Sequence, residues 1–313
     1  MFTIKKVNVY DSVIDQPVNN EYPTPPNSFK QPCLQLICGQ RTSGKSYLAS
    51  KILAQAKKEK TFDKIYIVTP SFNSNKSYFG KYIDESDVFE PTKDSISKVI
   101  ERVEADRDEW EAYLKKVKDY KKFKSEIHDK KIHISDDDVI TYMEHGFFDK
   151  QKPEWKYKTI EPPKSLLILD DVLGSPAILQ SSGLTRIATL NRHLAPLEVN
   201  HSNRSACGLA VMILCQSYKM QSGISRVLRE NVSLLTLFKN KQEKQLESIK
   251  EELANVVDID CFDEAYNQAT SEKYGSLTID FTPKTPCKTF RKNLNEFIIF
   301  DKLGGCNCKK EKL

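Results

Sequence analysis

No apolar run in this chain approaches the roughly 20 residues that a bilayer-spanning helix needs. The longest, Leu209 to Cys215, is the length of a strand. The N-terminus carries no hydrophobic signal segment, so the expectation is a protein made and kept in a cytosol-like compartment. There is no internal repeat, which excludes a repeat array. Close pairs of metal ligands are missing as well. His193, His201 and Cys207 are loosely spaced, and Cys306-x-Cys308 has a single residue between its thiols and no second pair nearby, so a zinc site is not expected. The eight cysteines are scattered, some of them in expected core strands (Cys38, Cys215), and fit buried thiols better than disulfides. Nor is there a strong excess of either charge: the net charge of +5 permits a polyanionic partner without demanding one.

What remains is a chain of 313 residues, 39% hydrophobic and 29% charged. It is long enough for one large α/β domain or two small ones, with ample material for a core. Residues 2 to 10 alternate in the manner of a strand, and Pro17 to Pro32 read as an extended lead-in. Core strands are expected at Leu34–Cys38, Lys64–Thr69, Ser165–Asp170, Leu209–Cys215, Val232–Phe238 and Ser276–Phe281. Helical patterns between most of them imply a largely parallel central sheet with helices on both faces.

The spacing is uneven. About 95 residues separate the second and third strands, far more than a crossover needs. From Asp94 to about Lys131 this stretch is helical, with Ile96, Val99, Ile100, Val103, Trp110, Tyr113, Leu114 and Val117 as an apolar stripe. Its first half is acidic and its second is rich in lysine (Lys115, Lys116, Lys118, Lys121, Lys122, Lys124). The lysine run reads as a solvated face paired against the acidic half, with contact to a phosphate backbone as the alternative. Trp110 and Trp155 read as packing residues, and Asn191 to Gly208 as a loop. The expected organisation is a lead-in over 1–32, a main α/β domain over 33–300 with a helical insertion at about 84–160, and a flexible tail over 301–313.

The chemistry begins after the first core strand, at Gly39-Gln40-Arg41-Thr42-Ser43-Gly44-Lys45-Ser46. This is the phosphate-loop (Walker A) pattern with a strand before it and a helix after it. Leu48, Ala49, Ile52, Leu53 and Ala56 recur at helical spacing and support that helix. The glycines let backbone N–H groups curl around phosphate oxygens without a Cβ in the way. Lys45 reaches the β- and γ-phosphates, the Ser46 hydroxyl is a ligand for Mg2+, and the positive end of the helix points at the same anion. Gly39 through Ser46, with Tyr47 just beyond, are thus the candidate contacts of a nucleoside triphosphate.

Such a loop needs a metal-holding carboxylate on a neighbouring strand. Ser165-Leu166-Leu167-Ile168-Leu169-Asp170-Asp171 supplies one: Asp170 for Mg2+, and Asp171 beside it to orient and deprotonate the attacking water. The strand Leu209–Cys215 ends in Gln216-Ser217, where a polar side chain can touch the γ-phosphate, although strands commonly end in polar residues.

In order along the chain, these pieces are followed or interleaved by Asn191-Arg192-His193, Ile213-Leu214-Cys215-Gln216-Ser217-Tyr218, Val227-Leu228-Arg229-Glu230-Asn231 and Tyr274-Gly275-Ser276-Leu277-Thr278-Ile279-Asp280. The ordered set resembles the DNA-packaging ATPases of large double-stranded DNA viruses, the poxvirus-type branch of the FtsK/HerA superfamily, with similar enzymes in virophages and Polinton-type elements. The resemblance implies a P-loop NTPase fold, ATP and Mg2+ as ligands, a homo-oligomeric ring and double-stranded DNA as substrate. It also implies a capsid or portal-like partner, in the virion or the host-cell cytoplasm. It matches Gln216 to the polar sensor and Asp171 to the paired acid, which in cellular relatives is usually Glu. Arg192 corresponds to the arginine of a Gly-Arg-His motif, with Asn191 in place of the glycine. Arg229 corresponds to another arginine just ahead of the next strand. In ring ATPases an arginine from one subunit completes its neighbour's site; Arg192 and Arg229 are the candidates, with Arg226 and Arg204 behind them. The stretch from Leu194 to Ala206 is longer than the family pattern.

Two other functions compete with a DNA-translocating motor. Asp171-Val172-Leu173-Gly174 and Asn240-Lys241-Gln242-Glu243 approximate the Asp-x-x-Gly and Asn-Lys-x-Asp elements of a GTP-binding switch. Glu243 is one methylene too long, and about 120 residues separate the phosphate loop from the carboxylate strand. The other is an assembly ATPase that performs no translocation.

Overall fold

The computed structural model describes residues 20–128, 134–172, 174–198, 204–219, 225–240, 242–283 and 288–300. The strand expected at residues 2 to 10, His201, Lys241 and the 301–313 tail lie outside these. Five-residue and longer strands with scarcely a polar residue form the centre: β1 (Leu34–Cys38), β2 (Lys64–Val68), β4 (Ser165–Asp170), β5 (Leu209–Cys215) and β6 (Leu234–Phe238). Near-continuous apolar runs of this kind belong to strands covered on both faces. Together with β3 (Val88–Phe89), β7 (Ser276–Asp280), β8 (Phe290–Lys292) and β9 (Glu296–Phe297), they make one sheet in the order β3-β2-β4-β5-β1-β6-β7-β8-β9.

From β3 to β6 every pairing is parallel, while β7, β8 and β9 join antiparallel. The parallel part and all six expected strands agree with the sequence. The antiparallel edge does not follow from it, because β8 and β9 have three and two residues, too few to show a period.

Side chains alternate across the sheet. Ile37, Ile67, Ile168, Met212 and Leu214 face α1 (Lys45–Glu59) and α2 (Phe72–Phe79), where Leu48, Ala49, Leu53 and Phe79 are buried against them. Leu36, Val68, Leu167, Leu169, Val211 and Ile213 face the opposite way. They meet α3 (Ser95–His128), α6 (Ser182–Leu190), α8 (Glu243–Leu253) and α9 (Ile259–Ala269). The short helices α5 (Pro176–Leu179) and α7 (Arg226–Glu230) connect the strands.

The insertion is built on α3, which has 34 residues and at about 1.5 Å per residue is roughly 51 Å long. Its first turns bury Ile96, Val99, Ile100 and Val103 in the sheet core. Trp110 then packs with Tyr113 and Trp155, ring centroids 5.6 and 5.0 Å away. Farther along, Phe123 joins Tyr142 and Phe147 in a small cluster of its own beneath α4 (Asp136–Glu144).

The lysine run does not pair with the acidic half. Glu104 meets Arg186, Asp106 and Glu109 meet Lys156, and Lys122 meets Asp138 and Glu126. The reason is geometric: residues of one straight helix reach only three or four positions along it. The expected loop at Asn191 to Gly208 opens with a 3-10 turn over Asn191–His193 and carries a Pro196–Ala206 bridge.

Candidate active site

Ligands of open α/β sheets bind beyond the carboxyl ends of the strands. At that edge β1, β5 and β4 lie side by side, with β5 between the phosphate-loop strand and the carboxylate strand. The loop is fastened where β1 ends, Gly39 N donating to the Cys215 carbonyl at 3.1 Å. A Cβ on Gly39 would lie 2.4 Å from Ser43 Oγ and 2.9 Å from Phe238 Cβ, so only glycine fits this close approach. Gly44, at φ 109, precedes the first turn of α1, which contains no acidic residue and has no side-chain cap. The N–H groups of that turn are of the kind that can take an anion.

Two further features suit a phosphate. Ser43 Oγ is buried without a hydrogen-bond partner. The buried Lys45 ammonium curls back to donate to the carbonyls of Gly39 at 2.8 Å and Gln40 at 3.3 Å. A cation against neutral carbonyls is a weaker pairing than one against phosphate oxygens. Ser46 is half-buried, while Arg41, Thr42 and Tyr47 are exposed at the mouth of the loop.

Asp170 ends β4 and is only 2% exposed. Burial, reinforced by the charge of Asp171, raises its carboxyl above the usual range, and the Lys45 ammonium pulls in the other direction. Its Oδ2 accepts from Asn75 Nδ2 at 2.9 Å and Thr69 Oγ1 at 3.3 Å. Both donors sit on one oxygen, which orients the carboxylate and suits the other oxygen to a cation. Among the described residues no group of three or more His, Cys, Asp or Glu could hold a metal ion alone. One carboxylate and one hydroxyl, completed by phosphate oxygens, are the hard donors that Mg2+ takes.

Asp171 follows in the left-handed region at φ 53, its N–H donating to the Leu214 carbonyl at 3.3 Å. The chain thereby turns off the strand and leaves Asp171 exposed beside Gln216, whose Nε2 donates to Asp171 Oδ1 at 3.4 Å. The structure thus brings Gly39–Ser46, Asp170, Asp171 and Gln216 together.

The arginines lie elsewhere. Arg192 is exposed in the 3-10 turn ahead of β5 and donates to Ser233 Oγ, just ahead of β6, at 3.1 Å. Asn191, beside it, donates to the carbonyl of Leu209, the first residue of β5. Arg192 therefore sits at the amino edge of the sheet, a five-residue β1 and roughly 16 Å from the loop at 3.3 Å per residue. Arg229 Nε and Nη2 donate to Glu252 at 2.9 and 3.1 Å in a bidentate pair within the chain. Arg226 pairs with Glu230 at 2.7 Å. Arg204 is buried against the carbonyls of Cys207 and Pro162, and stacks over Tyr22.

The stretch that approximates a guanine element forms a turn just ahead of α8. Asn240 donates to Gln245 Oε1 at 2.9 Å and accepts from Gln242 N at 2.9 Å. Sequence reasoning missed Asn75 and Thr69. Thr69 ends an expected strand and could have been found there, whereas Asn75 is brought in by α2 from 95 positions away.

No protein-family model matches the chain, and no curated protein matches it. Among solved structures it is similar to the genome packaging NTPase B204 from Sulfolobus turreted icosahedral virus 2 in complex with AMPPCP, at 16% identity over 84% of this chain and 97% of that one, TM-score 0.43. It is also similar to the pCW3 conjugation coupling protein TcpA with ATPγS, at 13% identity over 71% of this chain and 52% of that one, TM-score 0.36. A third is EssC (ATPases 2 and 3) from Geobacillus thermodenitrificans, at 12% identity over 68% of this chain and 34% of that one, TM-score 0.36.

Proposed function

We propose that this protein is an ATP-hydrolysing motor that drives double-stranded DNA into a viral capsid, working as a ring in which an arginine of one subunit completes the site of the next. The observation that carries the hydrolytic part is the meeting of Lys45, Asp170, Asp171 and Gln216 at one edge, across the intervening strand β5. Lys45 leaves the loop carbonyls for the β- and γ-phosphates as the triphosphate seats against the N-terminus of α1. Ser46 and Asp170 hold Mg2+, which when bound offsets phosphate charge. Asp171 takes the proton of the attacking water, and its exposed place beside Gln216 suits that task. Gln216, bonded to Asp171, reads the presence or loss of the γ-phosphate.

Of the two candidate arginines we assign the trans role to Arg192. It is exposed and donates to a neutral hydroxyl, whereas Arg229 is engaged by a carboxylate of its own chain. From the opposite edge of the sheet Arg192 cannot reach its own loop, so a catalytic role for it requires a neighbour. Ring, DNA, capsid or portal-like partner and location in the virion or viral factory follow from the sequence resemblance.

The test is ATP turnover with and without double-stranded DNA, in wild type and Asp171→Asn. The expected results are stimulation by DNA in the wild type, DNA affinity that falls steeply with salt, and retained ATP binding without turnover in the variant. Turnover indifferent to DNA would leave an assembly ATPase. Preference for GTP over ATP would replace the motor with a switch, and normal hydrolysis by Asp171→Asn would remove the base assignment.

A further inference from the structure

We infer that Tyr274 is the platform on which the purine base of the bound nucleotide stacks. This rests on reading Gly39–Ser46 as a triphosphate cradle. Strand order gives the cradle a direction. Asp171 and Gln216 lie on the β4–β5 side of β1, so the γ-phosphate faces that side and the nucleoside leaves toward β6 and β7.

Two aromatic rings stand there. A Cβ on Gly44 would lie 3.5 Å from Phe238 Cε1, at the end of β6, and 3.5 Å from Tyr274 Cδ1, in the turn ahead of β7. Phe238 is buried in the core beneath α1. Tyr274 is not: 57% of it is exposed, although it stands beside Gly44 of the phosphate loop.

Its backbone is unusual too. Tyr274 has φ 67, a left-handed conformation that a bulky side chain rarely adopts and that is kept where the surroundings enforce it. The turn is enforced by Gly275, whose N–H donates to the Glu272 carbonyl at 3.1 Å and where a Cβ would lie 2.3 Å from the Ala269 carbonyl oxygen. The Lys273 ammonium lies over one ring face, 4.9 Å from the centroid. A ring held in strained backbone beside the cradle, on the nucleoside side and open to solvent, presents a flat apolar surface of the kind bases stack on.

The experiment measures equilibrium binding of two probes, a nonhydrolysable ATP analogue and inorganic tripolyphosphate, each with Mg2+, to wild type, Tyr274→Phe and Tyr274→Ala. Loss of base stacking should weaken the analogue about tenfold in Tyr274→Ala. Tyr274→Phe should bind it as wild type does, and all three proteins should bind tripolyphosphate equally, which also shows that the loop of the alanine variant is intact. Wild-type affinity of Tyr274→Ala for the analogue would overturn the base site. So would an equal loss of both probes, which would make Tyr274 a support of the loop. If wild type binds neither probe, the cradle reading fails and the base site with it.

Discussion

Replacing Asn75 with alanine removes one of two donors from Asp170 Oδ2, the shorter one at 2.9 Å, and leaves Thr69 at 3.3 Å. A hydrogen bond to an ionised group contributes about 1.5–3 kcal/mol. Because Thr69 can tighten its longer bond, the lower end applies, about 1.5 kcal/mol, or a tenfold change in an equilibrium constant. That loss falls on the orientation of the carboxylate, since neither oxygen is removed, and partners of metal ligands elsewhere change affinity by about 10–100-fold. The expected outcome is a Mg2+ concentration for half-maximal ATP turnover raised about tenfold, with turnover at saturating Mg2+ close to wild type. Isothermal titration of Mg2+ into the complex with a nonhydrolysable ATP analogue measures the same shift without turnover. An unchanged Mg2+ requirement would refute the reasoning, because it would mean that Asp170 either needs no orienting or does not hold the cation.

Gly44→Ala forces an L-residue to φ 109, a strain of about 1–3 kcal/mol; nucleotide affinity should drop at least several-fold while the far-ultraviolet circular dichroism stays native. At Gly183 a Cβ would lie 2.9 Å from both Cβ and Cγ2 of Ile96, across the contact of α6 with α3. Overpacking there should cost about 1–3 kcal/mol, seen as a lower melting temperature with the Mg2+ requirement unchanged. Burial pushes the Cys33 and Cys207 thiols from 9.0 up to about 12. Ordinary thiols of the unfolded chain ionise near 9 while these two stay protonated, so the native state holds more protons between those values and stability falls as pH rises through them. The melting temperature should therefore decline above about pH 9. At pH 8, iodoacetamide should leave Cys33, Cys38, Cys207, Cys215 and Cys261, all buried, unlabelled until denaturant is added, as peptide mass spectrometry would show.

Much of the fold was legible because local pattern and tertiary role coincide. Runs such as Leu166 to Leu169 are apolar on both faces, and a strand buried on both faces can hardly be written otherwise. The phosphate loop was legible because glycine at 39 and 44 answers backbone demands that no other residue meets. Strand order was only partly visible. The separation of β1 from β4 by β5 depends on pairing between segments more than 100 residues apart, such as Leu36 with Ile213, and a one-dimensional pattern does not carry it. The same limit hid Asn75, which donates to Asp170, and the edge placement of Arg192. Arg229 shows the converse: its sequence position marked it as a candidate, and only the structure shows Glu252 holding it.

The proposed trans role of Arg192 requires that subunits meet at an interface. Lys45→Ala and Arg192→Ala proteins, each inactive alone, should recover ATP turnover when mixed, because an intact loop can then meet an intact arginine across an interface. In a random one-to-one mixture about a quarter of head-to-tail interfaces would be complete, so turnover should approach that fraction of the wild-type rate. A mixture as inactive as its components would contradict the account.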